Sequence, residues 1–78
     1  MKDAVLITAG HKRIGKAIAE RLSGAGYYIY MHHHNSEAEA NDTLSKLAGD
    51  GEVLKCDLGQ YDEVEKMISS CIHLKHVV

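Results

Sequence analysis

The sequence predicts an α/β fold: a doubly wound parallel sheet, of which the chain carries a βαβαβα series and the opening of a fourth strand. Three observations predict it. Short apolar runs alternate with stretches of helical periodicity along all 78 residues, the ordering that a parallel sheet with right-handed crossovers requires. The first run, "DAVLITA" at 3–9, is short and mainly apolar with β-branched members, as in a strand covered on both faces. Glycine clusters at 24–26 and 49–51 separate the segments.

Each element has its own signal. After the first strand, Ile14, Ala17, Ile18 and Leu22 recur at helical spacing, with Lys16, Glu20 and Arg21 between them. This predicts a helix over 13–23, stopped by "GAG" at 24–26. "YYIYMHH" at 27–33 is the second strand, around which Tyr27, Tyr28 and Tyr30 pack. Ser36 and Glu39 have the spacing of a capping box, so a second helix begins near Ser36. Ala40, Leu44, Leu47 and Ala48 form its apolar stripe, and "GDG" at 49–51 ends it. "EVLKC" at 52–56 is the third strand. Val64, Met67, Ile68, Cys71 and Ile72 then give the clearest helical stripe, with Asp62 and Glu63 in the first turn, where carboxylates suit the helix dipole. "KHVV" at 75–78 reads as a strand cut short.

The implied strand order is 3-2-1, with strand 4 on the other side of strand 1. Three layers result, and the third helix lies on the opposite face from the first two. The whole chain, 1–78, reads as one segment of an incomplete domain. With strand 4 truncated, an edge of strand 1 is expected to stay unpaired, which invites association between chains. A chain this short buries a limited share of its surface, so marginal stability is expected.

Composition excludes several classes of function. The formal net charge is −2, whereas a general nucleic-acid surface needs a basic excess. No apolar run approaches the roughly 20 residues that span a bilayer, and the early apolar stretch is too short for a signal peptide. A cytoplasmic location is the resulting expectation. The two cysteines, Cys56 and Cys71, do not make a disulfide framework and read as buried, reduced thiols. Within "HHH", alternation puts His32 and His34 on one face and His33 on the other. Two ligands are too few for zinc, so no metal site is expected.

The chemistry concentrates in "VLITAGHKRIGKAIA", 5–19. A strand, a glycine turn and a helix start can hold a phosphate on backbone N–H groups. Gly10 and Gly15 supply permissive positions, but the stretch does not match G-x-G-x-x-G. Spacing leaves two readings standing: a phosphate cradle and an ordinary βα turn. Lys12 and Arg13 are likewise phosphate partners or a solvated basic pair. Asp57 is a turn cap or a ligand acceptor.

"TAGHKRIG", Thr8 to Gly15, resembles the T-G-x-x-x-G-x-G signature of the short-chain dehydrogenase/reductase family, in the R-I-G variant of pteridine reductases. "MHHHNSEAEAN" at 31–41 is similar to the pteridine-reductase segment after the second strand, a His-x-His-Arg-Ser motif before an Ala/Glu-rich helix. "CDL" at 56–58 is similar to the family's Asp-Leu pair. The matches fall at three consecutive strand ends, the edge where Rossmann-like sheets bind ligands.

The resemblance implies roles residue by residue. Thr8, Gly10 and Gly15 shape the turn; Ile14 packs, with its backbone near the pyrophosphate; Arg13 supplies a cation whose fork suits phosphate. His34, Asn35 and Ser36 face the adenosine ribose and its 2′ substituent. Asp57 accepts from the adenine amino group, with Leu58 beside it. Two residues depart from the pattern: Ala9 stands where the family has glycine, and Asn35 where pteridine reductases often have arginine. No acidic residue ends the second strand to favour a free 2′-hydroxyl. The expected cofactor is therefore NADPH rather than NADH.

The family's Y-x-x-x-K motif, in which lysine lowers the pKa of a general acid/base tyrosine, is absent. Tyr61 is followed by Glu65 four residues on, and Lys66 is out of register. The resemblance thus implies the adenosine–pyrophosphate half of an oxidoreductase's cofactor site, with no catalytic residue. A carbonyl or pterin substrate, and most of the family's oligomer contacts, belong to a complete enzyme. The alternative is a nucleotide-binding or interaction module without catalysis.

Overall fold

The computed structural model describes residues 2–9 and 12–78. Strand β1, Ala4–Ile7, consists of four residues that are each at most 1% exposed. They are buried because neighbours cover both edges and both faces. Helix α1 (Arg13–Gly24), β2 (Tyr28–His33), α2 (Glu37–Ser45), β3 (Gly51–Lys55), α3 (Tyr61–Ser70) and β4 (Leu74–Val77) follow. Among the described residues the strands form one parallel sheet of order β3-β2-β1-β4, the order the sequence predicts.

Alternation along the strands divides the core in two. Val5, Ile7, Ile29 and Met31 face Ala19 of α1 and Ala40 of α2. Ala4, Leu6 and Tyr30 face Met67 of α3, with Cys56 beside them. The third helix therefore lies across the sheet from the first two, and the molecule has the expected three layers.

Helix α1 buries Ala19 and Ser23, with Ile18 and Leu22 half-buried beside them. Ile14, expected to open the apolar stripe, is 76% exposed. It lies one turn ahead of Ile18, before the helix reaches the core cluster. The C-terminus closes in a Schellman arrangement: Tyr27 N–H donates to Leu22 C=O and Gly26 N–H to Ser23 C=O, both at 3.1 Å. Gly26 takes φ +98°, a conformation costly for a side chain with Cβ.

The capping box expected at Ser36 and Glu39 does not form. Ser36 occupies the N-cap position of α2, but its side chain makes no capping hydrogen bond. Its N–H instead donates to Nδ1 of buried His33 at 3.3 Å. The glycines at 49 and 51 also differ from their expected role as helix stops, since α2 ends at Ser45. Gly49 packs against Ser23, and Gly51 lies inside β3 opposite Ile29, where chain approaches chain too closely for a side chain.

At the end of α3, Cys71 and Ile72 fall outside the helix that periodicity assigned them to. Cys71 turns extended at ψ 118°. Tyr30 Oη accepts the N–H of Ile72 at 2.9 Å, which replaces a helical partner with a sheet side chain. His73 at φ +58° completes the turn into β4.

Strand β4 corrects the expectation of an unpaired β1 edge. Leu74, His76 and Val77 pair with Ala4, Val5 and Leu6, with an irregularity between Ala4 and Val5. Val78 continues the pairing: its N–H donates to Leu6 C=O at 2.8 Å, and its carbonyl accepts Thr8 N–H at 2.9 Å. Four residues suffice because Leu74 also joins the α3-side cluster. The outer edges of the described sheet are those of β3 and β4.

Candidate functional site

Parallel strands bring their C-terminal ends to one edge. Residues after β1, β2 and β3 meet there, and these are the segments in which the sequence placed every candidate residue. Gly10 lies outside the described residues; the others can be located.

Thr8 ends β1. Its hydroxyl donates to Val78 C=O at 2.8 Å, so it ties the turn to β4. Ala9 follows at φ +52°, in the left-handed region that glycine enters freely and alanine does not. A glycine would meet this backbone requirement without strain. Lys12 N–H donates to Ala9 C=O at 3.0 Å, and Lys12 then serves as N-cap of α1.

That helix start is electrostatically unlike the other two. Lys12 makes no side-chain capping bond, and no acidic residue lies in the first turn of α1. Helices α2 and α3 carry Glu37 and Glu39, and Asp62 and Glu63, at the same place. Lys12 and Arg13 are exposed, and Lys16 and Gly15 are half-buried. The positive end of the α1 dipole is therefore reinforced by cations instead of being neutralised, an arrangement suited to an anion. The residues present fit a pyrophosphate through this helix start.

After β2, His34 and Asn35 are exposed and Ser36 is half-buried. His34 Nε2 lies 3.9 Å from Asp57 Oδ2, which links the ends of β2 and β3. Asp57 divides its carboxylate: Oδ1 accepts Gly59 N–H at 2.9 Å, the turn-capping role, while Oδ2 faces His34. Its own N–H donates to Glu63 Oε1 at 3.2 Å. Leu58 is 52% exposed. Ile14 and Leu58 are thus uncovered apolar side chains flanking a polar edge.

One residue at this edge was not assigned its part from sequence. His32 is buried, accepts Ala9 N–H on Nδ1 at 3.0 Å, and contacts Cys56 C=O through Nε2 at 2.8 Å. The available signal was strand alternation, which places His32 on the α3 face with Tyr28 and Tyr30. A concavity of about 380 Å³, lined by Lys2, Tyr28, Tyr30 and Glu52 among others, lies at the opposite sheet edge. It touches none of the candidate residues.

Residues 3–77 match the short chain dehydrogenase family model. The chain is 36% identical over 76 residues to an uncharacterized oxidoreductase, YmfI, of Bacillus subtilis (strain 168), covering 92% of this chain and 31% of that protein. It is 40% identical over 42 residues to pteridine reductase 1 of Leishmania tarentolae, covering 54% of this chain and 14% of that one. The crystal structure of FolM alternative dihydrofolate reductase 1 from Brucella canis, complexed with NADP, superposes with a TM-score of 0.69 at 33% identity. That superposition covers 74% of this chain and 25% of that one. The chain spans less than a third of the length of these relatives.

Proposed function

The chain belongs to the short-chain dehydrogenase family, and from that premise we propose that its C-terminal sheet edge holds the adenosine and pyrophosphate portion of a nicotinamide dinucleotide, NADPH in preference to NADH. The observation that carries the reading is the start of α1, which offers exposed Lys12 and Arg13 and no acidic residue. In this reading the turn from Thr8 to Gly15 cradles the pyrophosphate. Arg13, Lys12 and Ser36 take the 2′-phosphate, with His34 and Asn35 beside the ribose. The Asp57 oxygen facing His34 receives the adenine amino group, and Leu58 covers the base. The absence of Asp or Glu from 32–36 supports the phosphorylated cofactor.

The bound cofactor would supply hydride for a reductase of the pteridine-reductase type. The 78 residues bind and orient its adenosine half. No residue here is assigned to proton transfer, and the segment is proposed as one part of a dinucleotide-binding domain.

Calorimetric titration of the chain with NADPH, NADH and 2′,5′-ADP tests this. NADPH and 2′,5′-ADP should bind, with NADH about tenfold weaker, a gap of about 1.4 kcal/mol. Arg13→Ala should close most of that gap. Equal affinity for NADPH and NADH would reject the 2′-phosphate assignment, and no binding of any of them would reject the cofactor reading.

A further inference from the structure

The histidine run carries an inference beyond its apparent place at the ribose. His32 is 4% exposed and both ring nitrogens are engaged. Ala9 N–H can only donate, so the Nδ1 that meets it must hold a lone pair. The Cys56 carbonyl can only accept, so Nε2 must carry the hydrogen. One protonation state satisfies both contacts: the neutral ring with its hydrogen on Nε2.

The two groups held this way come from separate parts of the proposed site. Ala9 is the left-handed residue from which the phosphate turn departs. Cys56 directly precedes Asp57, and its N–H is already bound to His33 C=O at 2.9 Å. Two consecutive residues of β2 therefore hold both backbone groups of Cys56, and the same His32 ring reaches across to β1. The partners are 23 and 24 residues from His32.

We propose that His32 is a positioning residue that sets the spacing between the phosphate turn and the adenine-side Asp57 by clamping Ala9 N–H and Cys56 C=O through its neutral Nε2–H ring. This rests on the cofactor reading above for its functional consequence, but the clamp itself has an independent signature. The Ala9 amide faces His32 and does not donate to phosphate. Among the described residues phosphate contact thus falls to the start of α1, whose N-cap residue Lys12 donates its N–H to the carbonyl of the Ala9 that His32 holds.

The test uses the 78-residue chain. Two-bond ¹H–¹⁵N spectra at neutral pH should show His32 protonated on Nε2 and bare on Nδ1, with slow hydrogen exchange at Ala9 N–H. A ring protonated on Nδ1, or a fast-exchanging Ala9 amide, would overturn the clamp whether or not any cofactor binds. His32→Leu removes both contacts, whereas His32→Asn restores an acceptor near the Nδ1 position. With folding verified by circular dichroism, the NADPH dissociation constant should rise about tenfold or more in His32→Leu and recover to within about threefold in His32→Asn. A folded His32→Leu that binds as wild type, or an Asn variant no better than Leu, would overturn the positioning role. If His32→Leu does not fold, His32→Asn against wild type decides: a loss beyond about tenfold counts against the Ala9 contact as the operative one. Failure of wild type to bind NADPH removes the cofactor reading and leaves the clamp to the spectra.

Discussion

The hydroxyl of Ser23, near the end of α1, accepts the N–H of Gly49 at 2.7 Å and so fastens the first helix to the turn entering β3. Ser23 is 3% exposed, so little water reaches this bond. Ser23→Ala leaves the Gly49 N–H without its partner. A buried donor orphaned in this way costs about 1–3 kcal/mol. Urea unfolding should show a lower midpoint with unchanged slope. An unaltered midpoint would mean that water replaces the hydroxyl.

Gly51→Ala should be destabilising by about 1–3 kcal/mol, as for other overpacked sites. A methyl there would press into the Ile29 backbone carbonyl and stand 2.8 Å from Leu44 Cδ1. Leu44 can turn aside, but the carbonyl is fixed in the β2–β3 ladder. Gly24→Ala is the matched control, because a methyl there meets nothing within 4 Å. It should be neutral or stabilising by up to about 1 kcal/mol through helix propensity. Equal effects from the two substitutions would contradict the packing account.

Ala9→Gly should stabilise the chain. Holding alanine at φ +52° costs about 1–2 kcal/mol, and the added freedom of glycine in the unfolded chain returns about 0.5–1 kcal/mol. The net gain, about 0.75 kcal/mol at the centre of those ranges, corresponds to a melting temperature higher by about 3–6 °C in a domain of this size. Differential scanning calorimetry measures it directly. A lower melting temperature would show that Ala9 is not held in the left-handed region in solution.

The sequence made the alternation of elements, the strand order and the distribution of helices over the two faces legible, because those follow from periodicities within single segments. It was less informative wherever a residue's role is set by a distant partner. Gly49 and Gly51 looked like helix stops, yet they are small because of Ser23 and Ile29. Ile14 fits the helical period but lies a turn before the core, and period alone does not say where a sheet ends. The Val64–Ile72 stripe continues past Ser70 in sequence, while Tyr30 draws Ile72 out of the helix. Strand β4 looked too short to pair, and its pairing depends on Thr8 and Leu6 receiving Val78. At the candidate site, the strand-end location of the motifs could be read, including the position of Ala9. The contacts of His32 could not, since each partner lies on a different strand end.

Alkaline pH should weaken the fold through its buried thiols. Burial, reinforced by the charges of Glu63 and Asp57, raises the pKa of Cys56 above its ordinary value. Burial likewise raises that of Cys71, against a lowering hydrogen bond from Ser70. Tyr28 is raised by burial first and Glu52 second. In each case the folded state holds its proton more tightly than the unfolded chain does. The resulting stability is fully present below the unfolded pKa and is lost as pH rises through the folded one. Unfolding midpoints in urea should therefore be insensitive to these groups at neutral pH and fall once the pH passes the ordinary thiol value of about 8.5. Cys56→Ala removes the more deeply buried of the two thiols, so its alkaline decline should be shallower than that of wild type. The half-buried Cys71 should also react with a thiol reagent before Cys56. Parallel declines in the two proteins would show that other groups govern the alkaline limb.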